Sequence, residues 1–257
     1  MDILCSDKTG TLTLGKMQVI KDDCVPFGEF SLDDLLLTTL LASRRENTDA
    51  IDTAVCKAFG DPRAAVAGFE ELRFAPFNPV DKKTVAHVRA RDGGRPFLAS
   101  KGAPPIMNLL PGIDQETAER ANTVMDEKAA RGYKTLAICR SDDETPESAT
   151  WTMVGYISLM DPPRSDTEAT IVAAQERGVE VKMITGDQRK IAVEVAHQLH
   201  MGTHIFGPDV WLPNAPAVDR AGGVGNLAEL ANGFAGVHPE HKYKVVEALQ
   251  AAGHTVG

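Results

Sequence analysis

The chain lacks a basic excess, closely paired cysteines and any long apolar run. Its 257 residues include 27 lysines and arginines against 36 aspartates and glutamates, for a formal net charge of -9. Nucleic-acid-binding surfaces usually carry a basic excess, so the composition argues against a nucleic-acid partner. The four cysteines form no CxxC pair, which argues against a disulfide framework or a zinc site and favours reduced thiols.

Membrane insertion of this segment is not expected. No apolar stretch approaches the roughly 20 residues that a bilayer-spanning helix needs, and no signal-peptide pattern is present. Hydrophobic residues make up 43% of the chain and charged residues 25%, as in ordinary globular proteins. A buried core can therefore form without disulfides or structural metals.

Strands alternate with helices in the C-terminal region, residues 164–257. The predicted elements are a helix over 166–177, an apolar strand over 179–184, a helix over 188–199, a weak strand over 204–206, an irregular insert over 208–225, a strand over 234–237, a helix over 239–252 and a strand over 254–256. Such alternation predicts right-handed crossovers and a parallel sheet. A lone apolar strand over residues 3–5 needs a sheet, and this region provides one.

The middle section has a different pattern. Short strands are predicted over 71–74, 84–91, 97–100, 135–139 and 151–159, with Gly93-Gly94 in a hairpin. Helices are predicted over 32–43, capped by Ser31, over 49–58, stopped by Gly60 and Pro62, and over 115–131. This pattern indicates an antiparallel sheet flanked by helices. We expect residues 15–160 to be an insert between two halves of one domain, 1–14 and 161–257.

Two polar loops directly follow predicted parallel strands, namely Ser6 to Thr13 and Thr185-Gly186-Asp187. In open parallel sheets, ligands bind beyond the carboxyl ends of the strands. An aspartate there, Asp7, followed by Lys8 and a glycine-containing loop, fits a phosphoryl acceptor whose carboxylate attacks a γ-phosphorus. Taken singly, an aspartate such as Asp7 is usually a turn residue or a helix cap, a Thr-Gly-Asp loop is usually a turn, and Lys242 would be a solvated helix lysine.

Six motifs in order resemble those of P-type ATPases and span nearly the whole chain. They are Asp7-Lys8-Thr9-Gly10-Thr11-Leu12-Thr13, Phe77-Asn78-Pro79-Val80-Asp81-Lys82-Lys83-Thr84, Lys101-Gly102-Ala103-Pro104, Asp161-Pro162-Pro163-Arg164, Met183-Ile184-Thr185-Gly186-Asp187 and Pro239-Glu240-His241-Lys242. The resemblance implies an α/β fold: a haloacid-dehalogenase-like, Rossmann-like parallel sheet interrupted by an inserted α+β nucleotide-binding domain with an antiparallel sheet.

The resemblance also implies roles in the split domain. Asp7 is expected to be the nucleophile, and Asp7 together with the Thr9 carbonyl is expected to bind Mg²⁺. Lys8 is expected to offset charge on the transferring group. Thr185 and Gly186, in the loop with Asp187, are expected to hold the phosphoryl group, and Lys242 to contact it. Related phosphatases carry a second aspartate at the position of Thr9 as general acid and base. Without it, a long-lived phosphoenzyme is expected, which suits a pump.

In the inserted domain, the resemblance implies an ATP pocket. Lys101 and Gly102 are expected at its base, Phe77 stacked on adenine and Lys82 near the phosphates, with Phe74 and Lys83 as alternatives. The other implied residues are Asp52 near the adenine amino group, Lys134 facing phosphate and Arg164 at the return to the first domain. Taken singly, these side chains would more commonly be core or solvated residues.

The motif sequences resemble those of the plasma-membrane proton pumps of fungi, plants and protists, chiefly over residues 76–84 and 239–246. This resemblance implies a multi-pass parent protein in the plasma membrane, with this segment on the cytosolic side. Its partners would be ATP and the parent's own actuator and transmembrane domains.

Transmembrane helices, a TGES-type actuator motif and the family's Thr-Gly-Asp-Gly-Val-Asn-Asp loop are absent from the sequence. We therefore expect the chain to be a fragment with impaired catalysis of its own. The alternatives are a pump for another cation, a soluble haloacid-dehalogenase-type phosphatase or phosphotransferase, and a non-catalytic nucleotide-binding module.

Overall fold

The computed structural model describes residues 1–44, 46 and 49–257. The strands are β1 (Ile3–Asp7), β2 (Gln18–Val19), β3 (Val25–Pro26), β4 (Phe69–Ala75), β5 (Lys83–Ala90), β6 (Phe97–Gly102), β7 (Lys134–Ser141), β8 (Thr152–Met160), β9 (Glu180–Ile184), β10 (Ile205–Phe206) and β11 (Gly233–Phe234). The α-helices are α1 (Leu32–Leu41), α2 (Ala50–Lys57), α3 (Pro62–Val66), α4 (Pro104–Met107), α5 (Gln115–Ala130), α6 (Thr167–Gln175), α7 (Arg189–Gln198), α8 (Pro216–Ala221), α9 (Val224–Leu230) and α10 (Pro239–Ala251).

The chain forms two compact units. The first comprises Met1–Lys16, Ala129–Gly132 and Asp161–Gly257, and the second comprises Met17–Lys128 and Tyr133–Met160. Each unit has its own sheet, one parallel and one antiparallel. This confirms the predicted mixture of a parallel α/β sheet and a separate antiparallel sheet.

The parallel sheet of the first unit has the strand order β1-β9-β11-β10. The lone N-terminal strand pairs with β9 in a register that sets Asp7 beside Ile184. Apolar residues of α6 and α7 pack on one face of this sheet, and apolar residues of α9 and α10 pack on the other. The resulting three layers leave the carboxyl ends of β1 and β9 at one edge, where both polar loops begin.

A buried lysine in β9 stabilises the neighbouring helix α9. The Lys182 side chain is 0% exposed, and its Nζ donates to the carbonyl oxygens of Glu229 (2.9 Å) and Ala231 (2.7 Å) and to Glu180 Oε1 (2.6 Å). Helix C-termini leave carbonyl groups without intrahelical partners, and a cation near them is favourable. Lys182 thus satisfies polar groups that the apolar strand could not.

The C-terminal segment returns to the start of β1. Val256 bridges to Ile3 in parallel, and the imidazole of His254 lies between two carboxylates. Its Nδ1 is 2.6 Å from Asp2 Oδ2, and its Nε2 is 2.9 Å from Glu229 Oε1. A carboxylate only accepts hydrogen bonds, so both contacts are satisfied together only when the imidazole carries both protons. The two contacts raise the pKa of His254 above its ordinary value of 6.5.

The second unit is built on a seven-stranded antiparallel sheet ordered β2-β8-β7-β6-β5-β4, with β3 also pairing β8. Helices α1, α2 and α3 pack on one face of the sheet, and α4 and α5 pack with Trp151 on the other. Ser31 caps α1, since its Oγ accepts from Asp34 N and the Asp34 carboxylate accepts from Ser31 N. The predicted cap is therefore confirmed.

Two predicted elements, the insert over 208–225 and the strand over 234–237, were wrong in detail. Residues 208–225 are not irregular: they hold the short 3₁₀ helix Pro208–Trp211 and the helix α8, and α9 begins among them. The helix predicted over 49–58 does end before Gly60, and Pro62 occupies the first turn of the separate helix α3, where a missing N–H costs nothing. The strand predicted over 234–237 pairs only at Gly233–Phe234, because the chain then turns toward β9's loop.

Candidate functional site

Asp7 is the last residue of β1 and lies against Lys242. The Lys242 Nζ is 2.6 Å from Asp7 Oδ2, although 235 residues separate them in the chain. Lys242 reaches this position from the first turns of α10. The Asp7 side chain is 47% exposed and that of Lys242 is 37% exposed. The structure thus brings together two predicted catalytic residues and leaves the carboxylate accessible to a ligand.

The second loop is held beside Asp7 by backbone and side-chain hydrogen bonds. Thr185 N donates to Phe234 O (2.9 Å), and Thr185 O accepts from Val237 N (3.1 Å). The Thr185 hydroxyl is buried and accepts from Asp187 N at 3.1 Å. Because the hydroxyl only accepts in this contact, its own O–H remains a donor suited to a phosphoryl oxygen, whereas the backbone N–H of Thr185 is already engaged.

Lys8 is buried and points at carboxylates of its own unit. Its Nζ lies 2.8 Å from Asp187 Oδ2 and 4.0 Å from Asp161 Oδ2, and its side chain is 3% exposed. The paired carboxylates offset the cost of burying the ammonium. Lys8 therefore fixes the relative positions of the two loops, and its charge is already compensated by Asp187.

Asp161 and Thr13 organise the loop after Asp7. The Thr13 hydroxyl, fully buried, lies 2.5 Å from Asp161 Oδ2, and Lys16 N donates to Asp161 Oδ1 at 3.1 Å. Thr13 N also donates to Lys8 O, which closes the loop. Sequence reasoning assigned no role to either side chain, although both lie within the quoted motifs. The motifs drew attention to both residues, but only the fold shows that the side chains of Thr13 and Asp161 are in contact.

The loop itself needs glycine at one place. Gly10 has φ +80°, a left-handed conformation that glycine adopts without strain. Thr9 precedes it in an extended conformation, with φ -73° and ψ 119°. Gly10 thus allows the chain to turn within the loop that follows Asp7.

In the second unit, Lys101 and Asp52 form a buried ion pair. Each residue is 6% exposed, and Lys101 Nζ donates to Asp52 Oδ1 and to Ser43 Oγ, the latter at 2.7 Å. Burial lowers the pKa of Lys101, and the Asp52 carboxylate opposes that shift. Two predicted pocket residues are thus each other's partners, and Ser43 joins them although sequence reasoning did not select it.

Gly102 allows the loop before β5 to approach β6 closely. A Cβ at this position would lie 2.8 Å from Lys82 O, Lys83 Cβ and Met107 Sδ. The same Lys82 carbonyl accepts from Ala103 N at 3.0 Å. Only glycine fits this approach, so Gly102 positions Lys82, whose φ of +49° is unusual for a lysine.

The side-chain contacts in the second unit distinguish the predicted pocket residues, Phe77 and Lys82, from their alternatives, Phe74 and Lys83. The Phe77 ring is 59% exposed, whereas the Arg44 guanidinium already lies 3.9 Å from the centre of the Phe74 ring. Lys82 is exposed. Lys83 points to the opposite face of the sheet from Lys101, with its Nζ 6.0 Å from the Trp151 ring. Phe77 and Lys82 therefore remain the side chains free to meet a ligand.

Two predicted residues lie apart from these clusters. Lys134 begins β7 in the second unit and is exposed. Arg164 belongs to the first unit, where its Nε is 3.4 Å from Asp166 Oδ1 and its backbone N donates to Leu12 O. Their predicted contacts with a nucleotide remain predictions.

Asp7 at the carboxyl end of the parallel strand β1, facing a lysine and a threonine-glycine loop, is an arrangement suited to covalent phosphoryl chemistry. A family model for haloacid dehalogenase-like hydrolases matches residues 1–256. The match covers both units and nearly the entire chain. The chain therefore belongs to the haloacid dehalogenase-like hydrolase family.

Proposed function

We propose that the chain is the phosphorylating and nucleotide-binding part of a P-type ATPase, in which Asp7 accepts the γ-phosphoryl group of ATP. The observation that carries this proposal is the 2.6 Å contact between Lys242 Nζ and the half-exposed Asp7 carboxylate at the carboxyl end of the parallel sheet. The order of the six motifs supports the finer assignment to P-type ATPases.

In the proposed reaction, an oxygen of Asp7 attacks the γ-phosphorus in line. A phosphorus–oxygen bond to the carboxylate forms, the bond to the bridging oxygen breaks, and ADP leaves with that oxygen. Lys242 offsets negative charge at the attacking carboxylate. We expect the Thr185 hydroxyl and Gly186 to hold the transferring group, while Lys8 keeps that loop beside Asp7 through Asp187.

Haloacid dehalogenase-like hydrolases generally use Mg²⁺. Among the described residues, no group of three or more histidine, cysteine, aspartate or glutamate side chains is arranged for a metal. The Asp7 carboxylate and the Thr9 carbonyl nevertheless fit this ion, which often binds proteins through one or two carboxylates and keeps several waters. When bound there, Mg²⁺ would offset charge on the phosphoryl oxygens.

Thr9 distinguishes the proposal from its main alternative, a soluble phosphatase of the same family. A phosphatase needs a general base to activate water against the acyl phosphate, and a threonine hydroxyl is a poor one. The large second unit, with exposed Phe77 and Lys82 beside the buried Lys101, supports ATP as the phosphoryl donor.

The most specific part of the proposal is that the parent protein transports protons across the plasma membrane. This part rests on the amino-acid sequence of residues 76–84 and 239–246. None of the helices in the described part of the chain is long and apolar enough to span a bilayer. The ion pathway, the actuator and the membrane anchor are therefore proposed for other segments of a parent protein, with this chain on the cytosolic side.

Labelling from γ-labelled ATP tests the proposal in a longer protein that contains this chain. We expect an acid-stable, hydroxylamine-sensitive label that disappears in Asp7→Asn, because an amide is a poor nucleophile. The matched control is Asp219→Asn, an exposed position on α8 away from the site. Undiminished label in Asp7→Asn would contradict the mechanism. Rapid hydrolysis of simple phosphomonoesters without accumulated label would favour the phosphatase.

A further inference from the structure

Two aromatic rings are stacked behind the first turn of α10. The rings of Trp211 and His241 lie 14° from parallel, with 5.0 Å between their centres. Trp211 ends the short 3₁₀ helix Pro208–Trp211, and its ring centre is also 5.6 Å from that of Phe234, the last residue of β11. Phe234 is 1% exposed, so the His241 imidazole packs on a ring that is itself held by the core of the first unit.

The His241 imidazole also completes the start of α10. Its Nδ1 accepts from the backbone N of His238, the N-cap residue, at 3.3 Å. The first N–H groups of a helix lack intrahelical partners, and an acceptor at the third helical position can pair with the N-cap N–H. A backbone N–H only donates, so Nδ1 carries no proton in this contact and the proton of the neutral ring is on Nε2. His241 is therefore held from two sides.

Lys242, the next residue, depends on this turn for its position. Its side chain is 37% exposed, and a lysine has a flexible four-carbon stem. Contacts along the stem therefore constrain the ammonium less than does the backbone from which the stem starts. From this backbone, Lys242 Nζ reaches to 2.6 Å from Asp7 Oδ2. A shift of the first turn of α10 would carry the ammonium away from the carboxylate.

We propose that His241 and Trp211 are positioning residues, which fix the first turn of α10 and thereby hold the Lys242 ammonium against Asp7. The inference rests on the proposed function, because it takes Asp7 to accept the phosphoryl group. Trp211 lies in the segment over 208–225, so this segment contributes to the reaction through His241 and not as a source of catalytic residues.

Three substitutions of His241 separate its two contacts. His241→Asn places an amide oxygen near the position of Nδ1 and loses the stack, His241→Phe keeps the stack and loses the acceptor, and His241→Ala loses both. The control is His197→Ala, which alters an exposed histidine on α7.

Two substitutions of Trp211 test the other ring. Trp211→Leu removes the aromatic ring and with it the stack. Trp211→Phe is its matched control, since it keeps a ring and removes an indole N–H that is buried without an acceptor among the described residues.

The measurement is rapid-quench labelling from γ-labelled ATP, at saturating ATP, in a longer protein that contains this chain. Misfolded molecules lower the final amount of label, whereas a misplaced Lys242 lowers the rate constant for its formation. We expect His241→Ala to lower this rate constant by roughly 10–100-fold, the effect of a small misplacement of a catalytic group. His241→Asn and His241→Phe should each recover part of the loss, and Trp211→Leu should resemble His241→Asn. The Kd for ATP, from displacement of a fluorescent analogue, should be unchanged, because the nucleotide is proposed to bind in the second unit.

A double-mutant cycle tests whether the two rings act through Lys242. Lys242→Met alone should lower the rate constant by roughly 10²–10³-fold, as does removal of other charge-stabilising donors. In that background, His241→Asn and Trp211→Leu should cause little further loss, so that the effects are non-additive. If His241→Ala does not fold, the asparagine and phenylalanine variants and this cycle decide the question.

The outcomes are distinguishable. Unchanged rate constants in the His241 variants would overturn the inference, as would additive losses in the cycle or a loss confined to the final amount of label. Each of these results leaves the proposed function standing. Absence of phosphorylated Asp7 in the wild type would overturn the proposed function itself, and the inference with it.

Discussion

Replacement of Lys182 by methionine should destabilise the first unit. The side chain is 0% exposed, and its ammonium donates to two backbone carbonyl oxygens at the end of α9 and to one carboxylate. Methionine has similar length and can fill the space, so no large cavity is expected. The loss comes from the two carbonyl groups, which would stay buried without their charged donor.

The size of the effect follows from those contacts. A hydrogen bond to a charged group contributes about 1.5–3 kcal/mol, so two such bonds represent about 3–6 kcal/mol. Removing a buried cation recovers part of its desolvation cost. We therefore expect a net loss of about 2–4 kcal/mol. With a urea dependence of about 1–3 kcal/mol per molar, the unfolding midpoint should fall by roughly 1–2 M.

Tryptophan fluorescence reports the two units separately, because Trp211 lies in the first and Trp151 in the second. Urea unfolding is followed through Trp211 in a Trp151→Phe background. The matched control is Lys244→Met, which alters an exposed lysine on α10 and should change stability by less than about 0.5 kcal/mol. An Lys182→Met protein as stable as this control would refute the reasoning that Lys182 stabilises α9.

Three further predictions concern other parts of the chain. Gly102→Ala should weaken binding of a fluorescent ATP analogue, because the new Cβ would meet Lys82 O at 2.8 Å, whereas Gly68→Ala, with open space, should not. His254→Asn should lower the free energy of unfolding most below pH 6.5, and the difference should vanish as the pH rises through the raised pKa of His254. Thr9→Asp should shorten the lifetime of the phosphoenzyme in acid-quenched time courses, because it adds a general base.

Each of these has an opposing result. Unchanged affinity in Gly102→Ala would show that the Lys82 loop does not contribute to the pocket. A stability difference for His254→Asn that grows with rising pH would have the wrong sign for a protonated imidazole between two carboxylates. An unchanged lifetime in Thr9→Asp would mean that the missing carboxylate does not limit hydrolysis.

Periodicity and local chemistry were sufficient to predict the sheets. The apolar run that ends at Asp7 could only be buried in a parallel sheet, and the structure pairs it with β9. The hairpin at Gly93-Gly94 was likewise predicted, since its two flanking strands, β5 and β6, pair antiparallel. Such elements are determined by a few adjacent residues, so the sequence displays them directly.

Other features depend on contacts between distant residues and could not be predicted from the sequence. The strand over 179–184 was predicted only as apolar, and the partners of Lys182 at Glu229 and Ala231 come from the end of α9, a helix that was not predicted. The Asp52–Lys101 pair was missed for the same reason. Each residue was assigned separately to a ligand, and only the fold shows that they neutralise each other.

The central claim is that Asp7 itself carries the phosphoryl group. Borohydride reduces an aspartyl phosphate to homoserine, so a longer protein containing this chain can be treated with ATP and Mg²⁺, reduced, digested and examined by mass spectrometry. We predict homoserine at position 7 that depends on ATP and is absent without the reductant. An unmodified Asp7 in a protein that carries acid-stable label, with homoserine found at another aspartate, would contradict the account.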